Sequence, residues 1–126
     1  MMNKQIFKNT ILISLLLLVF VSCKKEGTGG KSSISGIVEH HGAAIPNSVV
    51  YIKYGATDFP GTAVSAYDAQ VTADASGNYK FDGLRKGDYY LYGVGYDNAV
   101  VAPVTGGVGV RLRTNEDKSI DVPVTE

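Results

Sequence analysis

The run from Val71 to Tyr92, VTADASGNYKFDGLRKGDYYLY, constrains this chain more tightly than any other stretch. It carries two turns and parts of three strands. Asp74-Ala75-Ser76-Gly77 has turn chemistry, because Asp closes a turn onto its own backbone and Gly tolerates positive φ. From Asn78 the residues alternate: Tyr79 and Phe81 share one face, Asn78 and Lys80 the other, which is the period of a half-buried strand. Gly83 interrupts the alternation, Leu84 returns to the apolar side, Lys86-Gly87 makes the next turn, and Tyr89 and Leu91 resume the inward pattern. A unit of this kind leaves one apolar face uncovered and requires a second sheet above it. The expected fold class is all-β, a single sandwich of about seven strands.

The rest of the chain fits that frame. Ile34–His40 reads as the first strand, with Ile34, Gly36 and Val38 on one side. Pro46 precedes a second strand, Val49–Tyr54, in which Val50, Ile52 and Tyr54 oppose Val49, Tyr51 and Lys53. Gly55–Ala66 is the longest irregular piece, with a Pro60-Gly61 turn and the ring of Phe59 in a loop. A short strand is expected around Tyr67–Thr72. Beyond Tyr96, Asp97-Asn98 turns the chain, and the β-rich runs Ala99–Val104 and Gly107–Leu112 are split by Pro103 and Gly106-Gly107. Ser119–Val124 closes the sequence as an alternating last strand that is a candidate sheet edge.

The pattern Thr72, Asp74, Gly77, Tyr79, Phe81, Leu84, Gly87, Tyr89, Leu91 resembles the carboxypeptidase regulatory-like domain, a transthyretin-like β-sandwich related to the B-type repeats of collagen adhesins. Ser35-Gly36-Ile37-Val38, followed by Ala44-Ile45-Pro46-Asn47-Ser48-Val49-Val50, resembles the first hairpin of that family. The resemblance covers about half the chain, Ile34–Tyr96, and rests on turn and core residues. It implies a transthyretin-like or Ig-like sandwich that is mostly a non-catalytic module. Some adhesin repeats form a Lys–Asn isopeptide bond, for which Lys53 or Lys31 with Asn115 or Asn98 are the residues available here.

Three segments follow. Residues 1–22 read as an export signal, with Lys4 and Lys8 ahead of the apolar run ILISLLLLVFV; eleven such residues are too few to span a bilayer. Phe20-Val21-Ser22-Cys23 resembles the lipobox of bacterial lipoproteins, with Phe20 where Leu is usual. That resemblance implies diacylglyceryl transfer to Cys23 and anchoring by acyl chains, each buried methylene contributing ~0.8 kcal/mol. Residues 23–33 then form a lipidated cysteine and a polar Gly/Ser tether expected to be flexible, and 34–126 form the sandwich domain. The expected location is the cell envelope, lipid-anchored at the outer membrane. Some Bacteroidetes-type surface lipoproteins carry an acidic run after the cysteine; here Glu26 alone is acidic, so the membrane face stays open.

Without its first 22 residues the chain has 10 basic and 12 acidic side chains, a net charge near −2. With no basic patch evident, nucleic acid is not an expected partner. Cys23 is the only cysteine, which excludes an intrachain disulfide and a cysteine metal site. Asp74-x-Ser76-x-Asn78 begins like a calcium loop, but Tyr79 and Arg85 stand where that loop needs Gly and Glu, so a hairpin turn is expected. His40-His41 invites a metal reading. Adjacent strand residues face opposite ways, so only a bulge or turn aims both at one ion; a solvated strand end is expected and no metal or cofactor. There is no Gly-x-Ser-x-Gly elbow and no assembled nucleophile–base pair, so no enzyme activity and no catalytic residue is expected.

The aromatic distribution is what exceeds a plain scaffold. All eight tyrosines lie beyond the leader. If Tyr89 and Leu91 face the core, Tyr90, Tyr92, Val94 and Tyr96 share the opposite face of one strand. Exposed, that row suits sugar rings or a protein partner; otherwise it is solvent-side β-propensity or lies under a loop. The function expected is a non-enzymatic binding or scaffold module for an envelope protein partner. The alternative is a carbohydrate-binding accessory lipoprotein of a glycan-uptake system, using Tyr90, Tyr92 and Tyr96 or the Asp58–Phe59 loop.

Overall fold

The computed structural model describes residues 25–126. The export signal and the lipidation of Cys23 lie outside the described residues. Within them the chain forms β1 (Thr28–His40), β2 (Ala43–Ala44), β3 (Val49–Tyr54), a single 3₁₀ turn (Val64–Ala66), β4 (Ala69–Thr72), β5 (Asn78–Leu84), β6 (Gly87–Asp97), β7 (Ala102–Leu112), β8 (Asp117–Ser119) and β9 (Val122–Pro123). One sheet is antiparallel throughout in the order β4-β3-β6-β7. In the other, β1 is the hub: β2 and β5 pair with it antiparallel, β8 and β9 parallel. The two sheets make an all-β sandwich.

The inward positions are those the alternation marks. Ile34 and Val38 of β1, Tyr79, Phe81 and Leu84 of β5, and Val122 of β9 meet Val50 and Ile52 of β3, Tyr89 and Leu91 of β6, and Val104, Val110 and Leu112 of β7 in one buried cluster. Each such side chain contributes roughly 1.5–3 kcal/mol through removal from water. The Asp74 turn is built as its residues require. Its carboxylate accepts the backbone N–H of Ser76 (2.8 Å) and Asn78 (2.9 Å), and Gly77 takes φ 78°.

Three expectations change. The segment Thr28–Ser33 is the first half of β1, not a tether. Its glycines serve close approach instead of flexibility: a Cβ on Gly30 would sit 2.1 Å from the Leu84 carbonyl oxygen. The Gly27 N–H donates to the Tyr89 hydroxyl (2.9 Å), the Arg85 N–H donates to the Gly27 carbonyl (2.8 Å), and the Ser32 hydroxyl donates to the Arg113 carbonyl (2.6 Å). Second, β7 is one continuous strand through Pro103 and Gly106-Gly107, paired with β6 from Ala102 to Leu112. It is the outer strand of its sheet, where a missing N–H is tolerated. Third, Ser119–Val124 is not one strand. Ser119 ends β8 and Val122–Pro123 form β9, with Ile120-Asp121 between them; both strands pair with β1 alone, so the segment lies at the edge of its sheet.

Candidate functional site

Tyr90 and Tyr92 lie on the outer face of β6, as the alternation requires, but they are buried. The Gly55–Ala66 loop covers them. On β7, Gly109 stands opposite Tyr90 and Gly107 opposite Tyr92, leaving a shelf without side chains. Thr57 rests on it so closely that a Cβ on Gly109 would meet the Thr57 carbonyl oxygen at 2.3 Å. Phe59 packs on both tyrosines at centroid distances of 5.8 and 5.6 Å, and Tyr67 stacks on Tyr92 at 5.6 Å with the planes 15° apart. Tyr51, opposite Tyr92 on β3, completes the cluster. Burial, with Tyr90 and Tyr92 beside it, pushes the Tyr67 hydroxyl up to about 12, and that hydroxyl donates to the Gly61 carbonyl at 2.9 Å.

The expected tyrosine row is therefore divided. Tyr90 and Tyr92 belong to an internal aromatic layer with Phe59, whose ring remains 53 % exposed; Asp58 beside it is exposed in the loop. Tyr96, at the far end of β6, is 46 % exposed. It sits next to the β6–β7 tip, where Val100 and Val101 also face solvent.

At the opposite end of β6 the chain builds a cleft of about 890 Å³. Six of the side chains lining it are basic (Lys25, Lys31, Arg85, Lys86, Arg111, Arg113) and two acidic (Glu26, Asp88). Arg111 Nε donates to Asp88 at 3.0 Å, leaving five cations against Glu26. Leu84 and Leu112, both almost wholly buried in the core, close the cleft from beneath. Arg85 is held from behind, its guanidinium donating to the Lys25 carbonyl at 3.1 Å, while its buried Nε has no hydrogen-bond partner among the described residues. The sequence showed no basic patch because these residues come from the β1 entrance, the β5–β6 turn and the β7 end. Only the pairing of strands gathers them. The residue types signal nothing, since each is an ordinary loop cation.

The histidines also depart from expectation. His40 is no solvated strand end: it is 2 % exposed and its Nδ1 lies 2.7 Å from Asp97 Oδ2. This bond, with the Ala99 N–H, holds the Asp97 carboxyl below the usual carboxylate range. The His41 ring is 4.0 Å from that of His40. Of the residues available for an isopeptide bond, Lys53 instead pairs with Asp68 at 3.7 Å.

No protein-family model matches the sequence, and no curated protein matches it. The fold is similar to that of a proposed carbohydrate-binding protein from Pseudomonas aeruginosa, known from its crystal structure. That likeness has a TM-score of 0.56 at 14 % identity and covers 82 % of this chain and 93 % of the other.

Proposed function

We propose that this chain is a non-enzymatic binding module of the cell envelope, a transthyretin-like sandwich anchored through acylated Cys23, whose cleft receives an anionic saccharide. The observation that carries the reading is the cleft itself, which gathers five cations not taken up by Asp88. Carboxylate, sulfate or phosphate groups on a sugar accept the charge-assisted hydrogen bonds that Arg and Lys offer. The likeness to a proposed carbohydrate-binding protein supports the same ligand class. Lys25, on the cleft wall, is two residues from Cys23, a reach of at most ~7 Å. An acylated Cys23 would hold the cleft against the membrane surface, where charged glycolipid head groups are found.

Calorimetry with the full chain in detergent micelles tests this, using neutral, carboxylated and phosphorylated saccharides. Charged sugars are expected to bind, more weakly as salt rises. The double variant Lys31→Gln/Arg113→Gln is expected to lose roughly tenfold in affinity, about 1.4 kcal/mol. Vesicles bearing an anionic glycolipid, run beside the free sugar, separate the two sources. If charged sugars bind no better than neutral ones, or the double variant binds as before, the cleft is not the site.

A protein partner is the second reading, favoured by Val101. It is 73 % exposed and holds φ at 54°, a conformation that strains a β-branched residue, at the tip beside Tyr96 and Val100. Strain of this kind, of order 1–3 kcal/mol, gathers at binding loops. Val101→Gly is expected to raise the melting temperature while weakening cross-linking to envelope proteins. Unchanged cross-linking would remove this reading.

A further inference from the structure

The end of the sandwich remote from the cleft holds a second group of residues that the binding reading does not use. His40 is the last residue of β1, and alternation would send His41 to the opposite face. The β1–β2 turn cancels that. His41 at φ 51° and Gly42 at φ 78° form the two-residue left-handed turn in which Asn-Gly is the usual pair. The turn swings the His41 imidazole back against that of His40, 4.0 Å between ring centres. From the other side, β9 runs parallel to β1 with Pro123 opposite Glu39, which delivers Glu126 to the same spot.

Among the described residues, only one of the two nitrogens of His40 has a hydrogen-bond partner. Nδ1 is hydrogen-bonded to Asp97, whose other oxygen accepts the Ala99 N–H at 2.9 Å. Nε2 is buried with no hydrogen bond among the described residues, and Glu126 Oε1 stands 3.4 Å away. That separation is long for a hydrogen bond, yet two ligand atoms each ~2.0–2.1 Å from a tetrahedral zinc ion are about 3.3 Å apart. One ligand atom each from His40, His41 and Glu126 lie within 4.8 Å of one another.

We infer that His40, His41 and Glu126 form a binding site for a divalent transition metal, zinc being the natural occupant, with Asp97 as the positioning residue. Two imidazoles and one carboxylate match zinc, whereas calcium and magnesium call for oxygen donors throughout. A carboxylate on the far nitrogen of a ligating histidine is the usual second contact of such sites; it fixes the ring and directs the bare Nε2 at the ion. Three protein ligands leave a fourth position for water or an external donor.

Zinc is titrated into the full chain, without added histidines, in competition with a chromophoric chelator; cobalt, whose visible absorption reports tetrahedral coordination, is the second probe. One ion per chain is expected. His41→Asn keeps a residue that accepts the left-handed turn, and Glu126→Gln alters an exposed side chain, so both are expected to fold while binding at least about tenfold more weakly. Asp97→Asn, if folded by circular dichroism, retains all three ligands and is expected to bind cobalt about ten- to a hundredfold more weakly. Zinc is expected to raise the melting temperature of the native chain but of neither ligand variant. No binding by the native chain, or binding undiminished in both ligand variants, would overturn the site and leave His40 as a structural partner of Asp97.

Discussion

Tyr67 shows how a single side chain records its surroundings. In water its hydroxyl titrates near 10.0; under the Gly55–Ala66 loop, beside Tyr90 and Tyr92, it is held up to about 12. A pKa raised by folding contributes stability that is fully present below the unfolded value and is lost as pH rises through the folded one. The fold is therefore expected to weaken between pH 10 and about 12. Tyr67→Phe should lack its share of that loss while giving up the bond to Gly61 at all lower pH. Urea unfolding from pH 8 upward checks this: native and variant curves should converge toward alkaline pH. Parallel curves would mean Tyr67 titrates as it does in water. Asp74 carries the opposite sign. Its carboxylate is held below its ordinary range by the backbone N–H groups of Asn78 and Ser76, so its contribution is present above about pH 4 and fades in acid.

At the scale of elements, the first half of β1 decides most. The Gly/Ser-rich run before Ile34 has no apolar side chain, and composition by itself reads as a flexible spacer. Its contribution is made by main chain and hydroxyls: Ser32 donates to the Arg113 carbonyl and accepts the Glu116 N–H, Ser33 donates to Asp117, and Gly27 bonds to Tyr89. A chain beginning at Ile34 is expected to be destabilised, because each buried group left without its partner costs about 1–3 kcal/mol. The denaturation midpoint measures it, and an unchanged midpoint would restore residues 25–33 to the role of a spacer. The covering loop is a comparable case. Phe59, Pro60 and Gly61 signalled a turn with a ring in it, yet nothing in that segment says that Thr57 lies down on Gly109. The shelf exists only once β6 and β7 are paired.

Across the whole molecule, β1 and β6 set the arrangement of function. Each runs from the cleft to the histidine end: Gly30, Lys31 and Ser32 of β1 and Gly87 and Asp88 of β6 line the cleft, while His40 and Asp97 meet at the other extreme. At ~3.3 Å per residue the two sites are some tens of ångströms apart. A chain whose residues beyond 22 sum to a charge near −2 thus presents a cationic end and an end of imidazoles and carboxylates. Overall charge was no guide to either. The strand faces, the Asp74 turn and the inward set from Ile34 to Leu91 were legible in the sequence, because alternation is a property of the extended backbone and has a period of two wherever it occurs. Burial of Tyr90 and Tyr92, the gathering of Lys31, Arg85 and Arg113, and the arrival of Glu126 beside His40 and His41 were decided by tertiary structure alone. Each depends on segments tens of residues apart being brought side by side by strand pairing, and no local pattern encodes which distant residue will arrive.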